Sequence, residues 1–209
     1  MTKVVCTTTL PPPPITYEYV DFGLPSGTKW ATQNVGARKP SDYGLYFQWG
    51  DTQGWTADQV GTGEGKKKFA SDWSDYKWGA SPNFTKYVVH NELDLEDDAA
   101  HVNMGGDWHM PTNEQIEELF NSTDFKFTTL DGIGGVSFTS KENESKSIFI
   151  PAAGGALNGS IIQSGNGVGC WLNQLLSNDN GCCFYVDTSG GKGNSLQRYA
   201  GLPIRGVIG

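Results

Sequence analysis

No stretch of this chain approaches the roughly 20 consecutive apolar residues of a membrane-spanning helix, and its first residues lack the apolar run of a secretion leader. It is therefore expected to be soluble, with no direct insertion into a membrane. Basic residues are outnumbered, 15 against 23 acidic, and a net charge of −8 repels phosphate backbones, so nucleic acid is not an expected partner. Histidine is rare. His90, His101 and His109 have neither the spacing of a helical zinc pair nor an adjacent cysteine pair, and no Gly-x-Ser-x-Gly nucleophile motif occurs. Cysteine is also scarce: Cys6 lies in an N-terminal tail, and Cys170, Cys182 and Cys183 form an odd-numbered group unsuited to a disulfide framework. Adjacent Cys182 and Cys183 fit neither a redox Cys-x-x-Cys pair nor an easy bridge. These absences lead us to expect no catalytic residue, no metal and no cofactor.

Strong helical periodicity is missing too, and there is no internal repeat. What is present is glycine, 28 residues or about twice the usual ~7%, with 37% hydrophobic and 12% aromatic residues, enough for one core rich in turns and short strands. Residues 1–16 contain Pro11-Pro12-Pro13-Pro14 and read as a proline-rich arm, leaving residues 17–209 as the domain. Strands are expected at 17–20, 29–31, 136–140, 147–150, 182–186 and 204–208, bounded by glycine-rich or charged turns. One helix is clear. Thr112-Asn113-Glu114-Gln115 fits a capping box after Pro111, and Ile116, Leu119 and Phe120 then share a face. Residues 50–85 have no period and read as irregular structure pinned by Trp55, Trp73 and Trp78. The pattern predicts an α+β domain, loop-rich, with a small and mostly antiparallel sheet and few helices.

Two sets of residues invite a chemical reading. Glu92, Asp94, Glu96, Asp97 and Asp98 lack the mid-loop glycine and terminal glutamate of an EF-hand and read as a solvated acidic loop. The turns around 165–169 and 190–193 lack the Walker spacing of a phosphate cradle. The region 169–209 is more unusual, because its cysteines and leucines are scattered among Asn173, Gln174, Asn178 and Asn180 with a period of neither 2 nor 3.6. Core packing accounts for Trp171 and Phe184, and a surface not selected for packing for the remainder.

Residues 19–31 (YVDFGLPSGTKWA), 34–37 (NVGA), 42–44 (DYG), 47–51 (FQWGD), 97–100 (DDAA), 103–112 (NMGGDWHMPT), 149–154 (FIPAAG) and the closing Arg198, Gly201, Ile204 and Arg205 occur in one order. Together they resemble the Fibrobacter succinogenes major paralogous domain, which is similar to the formylglycine-generating-enzyme branch of the C-type lectin fold. The resemblance implies a C-type-lectin-like fold whose loop-built face lies near the C-terminus. Some members of that family are bacterial surface proteins; others are variable proteins of diversity-generating retroelements, including phage receptor-binding proteins. Ordinary members read Tyr-Trp-Ser-Ser where this chain has Cys170-Trp171-Leu172-Asn173, and that departure favours diversification.

Rewriting asparagine codons that end in a pyrimidine reaches Cys, Leu, Tyr, Ser, Ala or Asn but never Gln or Trp. The resemblance therefore implies a variable region at about 165–205 in which Cys170, Leu172, Asn173, Leu176, Cys182, Cys183, Tyr185, Ser195, Leu196 and Tyr199 bind ligand on one exposed surface. Trp171, Phe184, Arg198, Gly201 and Arg205 are the expected fixed anchors between them. A receptor-recognition protein of a phage virion or bacterial cell surface is expected, its partner a protein or glycan receptor. A non-diversified adhesin or glycan-binding domain is the alternative, and an oligomer is left open. Trp30, Trp49, Trp108 and Trp171 should be largely buried.

Overall fold

The computed structural model describes residues 13–88, 92–189 and 192–209. Cys6, most of the proline-rich arm, His90 and the Gly190-Gly191 turn lie outside the described residues.

The turn at 25–27 closes with Gly27 N–H donating to Leu24 O at 2.9 Å, and β1 (Tyr19–Asp21) there pairs antiparallel with β2 (Lys29–Ala31). The aperiodic stretch that follows contains only the two-residue strands β3 (Gly79–Ala80) and β4 (Asn83–Phe84) and one 3-10 turn at Ala57–Gln59. A short helix, α1 (Ala99–Met104), starts where the Asp98 carboxylate accepts the His101 amide. It is six residues long with no apolar stripe, so periodicity could not reveal it. The capping-box helix is α2 (Asn113–Ser122): Thr112 Oγ1 accepts from Gln115 N at 3.2 Å, and Gln115 Oε1 accepts from Thr112 N at 3.0 Å. As the sequence predicts, Ile116 and Leu119 are buried and Phe120 packs beside them.

From α2 the chain runs into β5 (Thr123–Leu130), β6 (Ile133–Ser140) and β7 (Ser147–Pro151), an antiparallel sheet in that order. A small hairpin, β8 (Gly155–Leu157) and β9 (Ser160–Ile162), leads to the C-terminal sheet of β10 (Gly167–Leu175), β11 (Asn180–Asp187) and β12 (Lys192–Gln197). The last strand, β13 (Val207–Ile208), pairs with β2, so the beginning and end of the domain meet in one sheet, β1-β2-β13. The expected strand at 204–208 is shorter than its apolar run. Ile204 O instead accepts from Val35 N, and Arg205 turns inward. The described residues form an α+β, loop-rich domain of small antiparallel sheets with few helices.

Two large apolar clusters fill it. The first gathers Ile116, Leu119, Phe138, Ile150, Cys170, Leu172, Cys182 and Phe184 between α2, the β5-β6-β7 sheet and one face of the C-terminal sheet. The second gathers Phe47, Trp49, Met110, Trp171, Cys183, Leu202 and Ile204 on the opposite face. Trp30, Trp49 and Trp171 have no exposed surface, while Trp108 is half-buried with its ring edge toward Tyr17.

Candidate functional site

The C-terminal sheet lies between both clusters, and side chains that alternate along a strand are therefore buried in both directions. Cys170 pairs in register with Phe184, and Trp171 with Cys183, one couple entering each cluster. The ten candidate ligand residues consequently do not share one exposed face. Cys170, Leu172, Cys182 and Cys183 are buried core residues and are corrected as such. Asn173, Tyr185, Ser195, Leu196 and Tyr199 are half-buried, and Leu176 is 56% exposed. Leu196 and Tyr199 pack toward the second cluster, whereas Ser195 stands opposite Cys182 on the side of the first.

Five of the ten nevertheless meet at one concavity. A groove of about 770 Å³ opens between α2 and the C-terminal sheet, and Leu172, Leu176, Cys182, Cys183 and Tyr185 line it. The facing wall is Asn113, Ile116, Glu117 and Phe120 from α2 with Phe125 from β5. These wall residues were missed because the candidates were sought in the C-terminal third alone. The signal available was α2 itself, whose apolar stripe ends in Phe120 immediately before a strand carrying two more phenylalanines. Asn113 ties the two walls: its N–H donates to Gln174 Oε1 at 2.9 Å, and its Nδ2 lies 3.5 Å from Cys182 Sγ.

Each anchor has a structural role. Trp171 Nε1 donates to Phe47 O at 2.8 Å and Trp49 Nε1 to Leu172 O at 2.9 Å, a pair of indole clamps across the second cluster. Phe184 packs its ring edge against Phe120. Arg198 is fully buried, with no carboxylate partner among the described residues. Its guanidinium donates to Tyr76 Oη (2.8 Å) and to the carbonyls of Asn178 (2.8 Å), Tyr87 (3.2 Å) and Lys86 (3.2 Å), and it lies over the rings of Phe84, Trp49 and Tyr76. Arg205, equally buried, donates at 2.9 Å to Asn34 Oδ1, Ala31 O and Phe149 O, joining β2 to β7. Burial pulls its guanidinium down, to about 10, which leaves it charged at neutral pH.

Gly201 answers a steric need: a Cβ there would lie 2.5 Å from the Phe69 ring and 2.8 Å from Ala156 Cβ. Gly201→Ala is expected to cost about 1–3 kcal/mol by overpacking, read as a lower urea midpoint at unchanged slope.

Comparison with protein-family models, curated proteins and solved structures finds no match for this chain.

The remaining candidates for chemistry are engaged elsewhere. Burial pushes the thiols of Cys170 and Cys183 up to about 12 and raises Cys182 as well, so all three are protonated at neutral pH and weakly nucleophilic. The ring nitrogens of His101 and His109 contact the backbone carbonyls of Trp108 and Met110. Asp94, Glu96 and Asp97 converge closely enough to suggest a cation, but the Lys86 ammonium stands among them at 3.1, 2.9 and 2.5 Å. Burial pushes the Asp97 carboxyl up, but Lys86, Tyr87 and Lys77 outweigh it and hold it below the usual carboxylate range. Trp73 and Trp78 form no open platform. Trp73 packs edge-on against Tyr199, Phe84 and Tyr76, and Lys77 and Lys86 sit over Trp78. No helix among the described residues is long and apolar enough to cross a membrane.

The buried thiols give a pH dependence. Cys170 and Cys183 ordinarily titrate near 9 and are raised to about 12, so between those values the folded chain binds more protons than the unfolded one. Their contribution is fully present below about pH 9 and lost as the pH climbs toward 12. Arg205 acts with opposite sign above about 10, but it is one group against two thiols, and the buried hydroxyls of Tyr46 and Tyr76, also raised by burial, act with the thiols. The melting temperature should therefore fall between pH 8 and about pH 11, and fall less in Cys170→Ala/Cys183→Ala. A flat profile in the parent chain would contradict this.

Proposed function

We propose that this chain is a non-catalytic recognition domain of C-type-lectin-like fold that binds a cell-surface receptor through the groove between α2 and the C-terminal sheet. The observation that carries the reading is the convergence of Leu172, Leu176, Cys182, Cys183 and Tyr185, residues dispersed along the sequence, on one concavity. The joining of both ends of the domain in the β1-β2-β13 sheet, with a separate C-terminal sheet beside the groove, supports the lectin-like reading. Walls of Ile116, Phe120, Phe125, Leu172, Leu176 and Phe184 suit an apolar side chain better than a sugar ring, which needs dense polar contacts. A protein receptor is accordingly preferred to a glycan. Glu117 at the wall and the net charge of −8 favour a basic flank beside that apolar residue.

The C-terminal region at about 165–205, of which only Leu176 and Tyr185 among the accessible candidates line the groove, is further proposed to be diversified by a retroelement, on a phage virion or a bacterial cell surface. Two positions that asparagine-codon rewriting cannot reach, Trp171 and Gln174, are both clamps: one holds Phe47 and the other the first amide of α2. The positions proposed as variable are the accessible ones, Asn173, Leu176, Tyr185, Ser195, Leu196 and Tyr199. Inspection of the DNA beside the gene tests this. A reverse-transcriptase gene and a near-copy of the 3′ end carrying extra adenines are expected, and their absence would overturn diversification. A second reading, a non-diversified adhesin of the same fold, is favoured by the burial of Cys170, Leu172, Cys182 and Cys183, since core positions tolerate randomisation poorly.

A further inference from the structure

The β5 strand is eight residues long, occupies the edge of its sheet, and is exposed at every position from 124 to 130. Its ladder with β6 runs from Thr123↔Ser140 to Leu130↔Ile133 without a register shift. Among the described residues, no backbone hydrogen bond outside that ladder reaches 124–130. Natural edge strands are usually kept short, bulged, broken by proline or loaded with charge, because a row of unpaired N–H and C=O groups is a template for another strand. β5 has no proline and no bulge, and apart from the charged pair Asp124 and Lys126 its residues are mostly β-prone Thr and Phe. Phe125 and Phe127 are each 38% exposed and Leu130 37%.

The charges on this edge choose its occupant. Asp124 and Lys126 flank Phe125 and point to the same face of the strand, and neither has an ion-pair partner among the described residues. We infer that β5 is a self-association edge, at which two copies of this chain pair antiparallel about a twofold axis through Phe125. That register sets Phe125 opposite Phe125, and Asp124 of each copy opposite Lys126 of the other. Centring on Lys126 would oppose lysine to lysine, and centring on Phe127 would set Asp124 against Leu130, leaving both charges unmatched. Opposite charges and aromatic pairs directly across an antiparallel ladder stabilise it, whereas like charges destabilise it. The product is a continuous six-stranded sheet, β7-β6-β5 from one copy running into β5-β6-β7 of the other. Thr123–Phe127 of each copy form the paired stretch, which covers both Phe125 rings, and residues 128–130 of each edge extend beyond it, past the end of α2 of the other copy. A closed twofold arrangement of this kind ends at the dimer and does not propagate into fibres.

This surface adjoins the proposed groove, whose wall includes Phe125, but its test is read from mass and from Asp124 and Lys126, neither of which lines the groove. Sedimentation velocity on the full chain, from micromolar to millimolar concentration, tests it. The parent should pass from 22.7 kDa to twice that mass. Asp124→Lys places lysine against lysine twice and should weaken dimerisation about tenfold or more. The double reversal Asp124→Lys/Lys126→Asp restores the pairing with the signs exchanged and should return the parent constant. Both substitutions are on exposed positions, and unchanged thermal melts will show that the variants are folded. A parent that remains monomeric, a dimer indifferent to Asp124→Lys, or a double variant that stays dissociated would each overturn the proposal.

Discussion

Replacing Arg198 by methionine is expected to cost roughly 3–5 kcal/mol. The guanidinium satisfies Tyr76 Oη and the carbonyls of Lys86, Tyr87 and Asn178. Each of those acceptors left unpaired in a buried site costs about 1–3 kcal/mol, partly offset because a buried cation is removed with its own desolvation cost. Lysine cannot substitute, since one ammonium does not span three directions in a plane. The segments that would loosen are 76–87 and 178–180, and the Arg198 backbone extends the same tie through Asp179 O and Trp49 N. Urea titration of Arg198→Met and Arg198→Lys checks the prediction. A loss below about 1 kcal/mol in both would show that the arginine is not the anchor described here.

The second large effect separates the groove's floor from its rim. Leu172 is 1% exposed in the first apolar cluster, and Leu172→Ala should cost about 2–5 kcal/mol through lost burial and a residual cavity. Leu176 lines the same groove but is 56% exposed, so Leu176→Ala should change stability by less than about 0.5 kcal/mol. Leu196 and Tyr199, half-buried at the border of the second cluster, should fall between the two. Thermal melts of the four variants rank them. Equal losses at Leu172 and Leu176 would mean that the groove closes in solution and offers no ligand a surface.

Much of the fold could be read from the sequence wherever one local rule decided the outcome. The capping box located the start of α2, which runs two residues past Phe120 to Ser122, and the glycine-proline turn and the charged turn at 141–146 set the β1-β2 and β6-β7 hairpins. The strand β10 was not legible, for a reason the structure supplies. It is buried on both faces, so Val168, Cys170 and Leu172 serve one cluster while Trp171 and Leu175 serve the other, and no alternation of apolar with polar residues survives. The same lack of period made adjacent cysteines look like poor core design. Cys182 and Cys183 in fact belong to different clusters, each filling a small space in its own. The anchors Trp171, Phe184, Arg198, Gly201 and Arg205 were named through the family resemblance; from the residues alone Arg198 and Arg205 read equally well as surface arginines, and the structure buries both. The groove was not legible, because half of it comes from α2 and β5, distant in sequence from the residues that suggested a site.

Sequencing this gene across the population that carries it tests the central claim most directly. Recognition through a diversified C-terminal surface predicts that amino-acid differences concentrate within residues 165–205. They should fall at the accessible positions Asn173, Leu176, Tyr185, Ser195, Leu196 and Tyr199, while Trp171, Gln174, Arg198, Gly201 and Arg205 stay fixed. Differences spread evenly along the gene, or replacing Trp171 and Arg198 as often as Leu176 and Tyr199, would contradict it.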